Sequence, residues 1–137
     1  MTSNLSIREK MKIICKHNKS SNLPSGTPSN FNYGLELEKE YLVMGMVLAE
    51  NQLWYLVDEH GKPDFYPYQL FQVTEASLGH NWHFKLYSDD DGVFPFNKQS
   101  IWGYSELCFD KKHYEGLVDR EPGALQLYFM RKAESTF

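Results

Sequence analysis

His80 and His83 stand three residues apart at the entry to an alternating segment, a spacing that would let two imidazoles reach one divalent ion. No third ligand is spaced to join them. The remaining histidines, His17, His60 and His113, form no HxH, HExxH or cysteine-paired pattern, so a metal centre is not expected. Asp89-Asp90-Asp91-Gly92 places three carboxylates in a row, but a calcium loop alternates its ligands and closes on a later glutamate; a solvated hairpin turn explains the run better. Cys15 and Cys108 lack a CxxC neighbour and suggest neither a zinc pair nor a disulfide framework, so both are expected as reduced, buried thiols. There is no GxSxG elbow, P-loop or GxGxxG run. The carboxylates of Asp58-Glu59, or of Glu36, Glu38 and Glu40, would do acid and base work only if they converged, and acidic residues alternating on a strand make a wet outer face. We expect no catalytic residue, no metal and no cofactor.

Aromatic residues offer a different kind of site. They make up 15% of the chain, and 14 of the 21 lie between Trp54 and Phe109. Trp54, Tyr55, Phe65, Tyr66, Tyr68, Phe71 and Trp82 cannot all be interior in a small domain, although most of the rings are expected to fill the core. Tyr66 and Tyr68 flank Pro67 and are expected at the surface. A groove of rings beside carboxylates suits a peptide, a basic side chain or stacked bases. The expected partner-binding residues are Trp54, Asp58, Glu59, Asp64, Tyr66, Tyr68, Asp89, Asp90 and Asp91.

Charge narrows the choice of partner. Residues 1–19 carry net +4 while the whole chain is −4, so residues 20–137 carry −8. Phosphate backbones are held by clustered Lys and Arg, so an acidic body argues against nucleic acid and for a basic protein partner.

The elements that must position these residues read mainly as strands. From Glu40 to Val73 the chain alternates, breaks at Glu50-Asn51-Gln52, resumes from Leu53 to Val57, and turns again over Asp58 to Pro63. Lys12 to Lys16 reads as a first strand, and Asn18 to Gly34 as a long loop of Ser, Asn, Pro and Gly whose far end Phe31 and Tyr33 would pin to the body. Pro67 restricts its segment to an edge or a bulge, and Leu70 to Thr74 reads as a closing strand. Trp82 to Tyr87 alternates as a half-exposed strand. Asp110 caps a short helix with Tyr114, Leu117 and Val118 on its apolar face; Pro122 opens a second, with Ala124, Leu125, Tyr128 and Phe129 inward and Arg131 and Lys132 at its end. The expected class is mainly β (α+β): a small antiparallel SH3-like barrel over 11–107, then a segment of two short helices over 108–133, in one domain spanning 11–137. Residues 1–10 would be a flexible extension, and Met11 a plausible start. No stretch suits a signal peptide or a membrane span, which reads as cytoplasmic.

Trp54-Tyr55-Leu56-Val57-Asp58, the run from Tyr66 to Val73, Trp82, the run from Tyr114 to Ala124, and the opening Met11 to Lys16 together resemble small uncharacterised bacterial proteins with an SH3-like barrel, some of which resemble immunity proteins of toxin systems. The resemblance spans about residues 11–132 and carries no catalytic or ligand residue. It implies a non-enzymatic, cytoplasmic protein-binding module that occludes a basic toxin domain. The alternative is a small barrel that takes a peptide or single-stranded nucleic acid in an aromatic groove.

Overall fold

The structure, a computed structural model, describes residues 10–19, 31–87 and 98–135. Asp89, Asp90 and Asp91, and most of the loop expected over 18–34, lie outside the described residues. Among the described residues, eight strands run as β1 (Met11–Cys15), β2 (Glu40–Leu42), β3 (Gly45–Ala49), β4 (Gln52–Glu59), β5 (Lys62–Pro67), β6 (Phe71–Ala76), β7 (His83–Leu86) and β8 (Lys98–Gly103). Helices α1 (Ser105–Phe109), α2 (Lys111–Val118) and α3 (Pro122–Ser135) follow. The strands form two antiparallel sheets, ordered β2-β1-β6 and β5-β4-β3-β8-β7. Among the described residues neither sheet closes on itself, so the closed barrel of the sequence reading is not what the pairing displays.

One peptide hands the chain from one sheet to the other. The Val43 amide donates to the Met11 carbonyl at 2.8 Å, and the next amide, of Met44, donates to Leu56 at 2.8 Å. The run expected as one continuous strand is therefore two, because alternating residues there are apolar on both sides and each half buries against a different sheet. The hairpins on either side of β4 each turn in two residues with positive φ at both: Glu50 (53°) and Asn51 (61°), then His60 (53°) and Gly61 (75°). Pro67 ends β5, which is an edge strand, as a residue without an amide donor requires.

Alternation along the larger sheet divides the core in two. Val47, Ala49, Leu56 and Ile101 face the helices and pack with Leu107, Tyr114, Leu117 and Tyr128. Met46, Tyr55, Val57 and Tyr66 face the smaller sheet and pack with Ile13, Cys15, Tyr41 and Leu70. The result is three layers, sheet on sheet on helices, with both cysteines free and buried.

Two elements escaped the sequence reading. β8 (Lys98–Gly103) carries only Ile101 and Trp102 as large apolar residues, too few to display a period, yet it pairs centrally between β3 and β7. Helix α1 is five residues long, shorter than any helical repeat can announce, so the described residues hold three helices rather than two. Gly45 and Gly103 face each other across β3 and β8, and their missing side chains admit Leu107 of α1 onto the sheet. The other two helices begin where expected, with the Asp110 side chain accepting from the His113 amide at 3.2 Å and Pro122 opening α3. Val118, expected inward, is 56% exposed.

Candidate functional site

Trp54 of β4, Phe65 of β5, and Val47 and Ala49 of β3 share the helix-side face of the larger sheet. Helix α2 meets that face where Tyr114 stacks on Phe65, with ring centroids 5.3 Å apart and planes at 25°. Around this contact lies a cleft of about 810 Å³. Trp54, Phe65, Tyr114 and Val118 form its apolar walls, while Glu50, Asp64, Glu115 and Asp119 bring carboxylates to it. Such a volume lies within the range of about 300–1,000 Å³ that accommodates a ligand-sized group.

The carboxylates come from three separate elements. Glu50 sits in the β3–β4 turn, Asp64 on edge strand β5, Glu115 within α2 and Asp119 just past its end. All four residues are exposed. Asp64 lies 3.4 Å from the Arg120 guanidinium and Glu115 3.6 Å from the Lys111 ammonium, both surface pairs. Among the described residues Glu50 and Asp119 join no ion pair. The C-terminus of α2 adds the negative end of its dipole at Val118 and Asp119.

Strand alternation separates the two adjacent carboxylates that the sequence offered together. Asp58 turns to the helices, accepting from the Tyr128 hydroxyl at 2.9 Å and from the Lys132 ammonium at 2.8 Å. Glu59 turns to the smaller sheet, where it is 6% exposed and accepts from the Lys39 ammonium at 2.7 Å and from the Tyr41 hydroxyl. Burial would raise the Glu59 pKa, but the hydrogen bonds from Lys39 and Tyr41 outweigh it and hold the carboxyl below its ordinary range. Both side chains are engaged in holding layers together.

Comparison with protein-family models, with curated proteins and with solved structures returned no match to this chain.

Of the expected contact residues, the structure brings Trp54 and Asp64 to the cleft. Tyr66 is a correction: it is 8% exposed, packed edge-on against Tyr33 and Phe71, with its hydroxyl pushed up to about 12 chiefly by burial. Its neighbour across Pro67, Tyr68, is exposed as expected, but on the short 3-10 turn Tyr68–Leu70 and not among the residues that line the cleft. The sequence reading missed Glu50, Phe65, Tyr114, Glu115, Val118 and Asp119 as site residues. Phe65 and Tyr114 were visible as aromatic and Glu50 as part of a turn, but only the docking of α2 on β5 brings them to one cleft.

His80 and His83 are both exposed, and no three His, Cys, Asp or Glu side chains gather as metal ligands among the described residues. His113 is buried, its Nε2 2.6 Å from the Tyr104 hydroxyl, and burial lowers its pKa. That pair closes a polar gap within the helical core.

Proposed function

We propose that this chain is a non-enzymatic protein-binding module, most concretely an immunity or antitoxin-type protein that occludes a basic toxin domain. The observation that carries the reading is the aromatic cleft beneath α2 with carboxylates from three elements around it. Rings supply a desolvated centre and the acidic rim, on a body of net −8, supplies steering; tight interfaces divide their labour in this way. A single-stranded nucleic acid in the same cleft would bring phosphates against those carboxylates, which disfavours that alternative.

An SH3-like arrangement is supported by β1 pairing with both β2 and β6, by the bend between β2 and β3, and by the 3-10 turn ahead of β6. A cytoplasmic setting is supported by the two free, buried cysteines. Among the described residues no helix is long and apolar enough to cross a membrane.

The test is co-expression with the product of the neighbouring gene. Co-purification together with suppression of that product's toxicity is the expected result. A neighbour that is harmless, or whose toxicity this chain leaves untouched, overturns the immunity reading.

A further inference from the structure

We infer that the cleft beneath α2 reads arginine: its occupant is a guanidinium side chain on a basic protein segment. This rests on the proposed binding of a basic partner and adds which residue type enters. Two negative contributions converge there independently: the rings of Trp54 and Phe65, the second backed by the buried Tyr114, and the carboxylates of Glu50, Asp64, Glu115 and Asp119, of which Glu50 and Asp119 join no ion pair among the described residues. An anion is repelled by both. An uncharged apolar group would satisfy the rings but strip water from the rim without replacing it.

Between the two cations, shape decides. A lysine ammonium is a compact, strongly hydrated charge that meets one carboxylate at a time. A guanidinium is flat, so its faces lie on rings while its edge donors spread toward carboxylates on different walls. The carboxylates here sit on a turn, an edge strand and a helix end, the divided arrangement that a fork of donors can span. The protein supplies its own precedent: Arg120 already holds a guanidinium nitrogen 3.4 Å from Asp64. Arg120 and Asp64 are 46% and 53% exposed, so an incoming arginine displaces that pair at little cost.

Titration of the ¹⁵N-labelled full chain with a hexapeptide alternating glycine and arginine, and with its lysine and glutamate counterparts, tests the inference. The arginine peptide is expected to shift the Glu115, Val118 and Asp119 amides and the Trp54 indole N–H. The lysine peptide should bind about threefold or more weakly, and the glutamate peptide not at all. Val118→Lys, at an exposed position, puts a resident cation into the cleft and should abolish binding. Glu50→Gln combined with Asp119→Asn should weaken it about tenfold. Equal affinity for the arginine and lysine peptides, shifts confined to another surface, or undiminished binding by Val118→Lys would each overturn it. Capture of a toxin at a different surface leaves the proposed function standing and removes this inference. Arginine selectivity in the cleft without any toxic neighbour does the reverse.

Discussion

Replacing Glu59 with Gln tests whether this carboxylate braces the two sheets or serves a partner. Its side chain is 5% exposed and accepts from Lys39 at 2.7 Å, from the Tyr41 hydroxyl and from the His60 amide at 3.2 Å. Glutamine keeps the shape and one acceptor oxygen but removes the charge. A hydrogen bond to a charged group contributes about 1.5–3 kcal/mol. Removing one member of a fully buried ion pair costs about 3–5 kcal/mol, but the Lys39 side chain is 41% exposed and regains water when its partner is lost. The expected loss is therefore about 2 kcal/mol at neutral pH, near the lower figure. It should appear in urea denaturation as a lower midpoint with an unchanged slope. The folded carboxyl titrates below its unfolded value, so its stabilisation is present above about pH 4.3 and disappears as pH falls through the depressed folded pKa. The gap between wild type and Glu59→Gln should accordingly close on acidification. A gap that stays constant down to about pH 3, or a neutral-pH loss below about 0.5 kcal/mol, would refute the account. Because Glu59 faces away from α2, arginine-peptide binding should not change.

Two further predictions follow from the core. Gly45→Ala would drive a methyl into Leu107 Cδ2 and to within 2.9 Å of the Trp102 carbonyl oxygen, costing about 1–3 kcal/mol, whereas Gly123→Ala, with nothing within 4 Å, should be neutral or slightly stabilising; equal urea midpoints for the two variants would contradict the packing of α1 on the glycine pair. Burial pushes the Cys108 thiol up to about 11 and raises Cys15 likewise, so a thiol reagent at neutral pH should label neither in the native protein and both after unfolding; fast native labelling would contradict their burial.

Local chemistry made much of this fold legible in the sequence. Asn51, and Gly61 after His60, announced the two turns because positive φ suits those residues. Asp110 and Pro122 announced helix starts because capping acts within a few residues. Pro67 announced an edge because it has no amide donor. The acidic body was also a property of the chain as written. Where the effect depends on what a face meets, the sequence was silent or misleading. Tyr66, beside a proline, looked exposed and is covered by Tyr33 and Phe71. Asp58 and Glu59, adjacent in the chain, answer to different layers because neighbouring residues on a strand point opposite ways. The cleft draws on β3, β4, β5 and α2, whose order in the sheet and docking above it arise from pairings far apart in sequence. The chain itself determined which residue types were available and where it would turn; tertiary packing alone decided which carboxylates hold layers together and which stand at the surface around the rings.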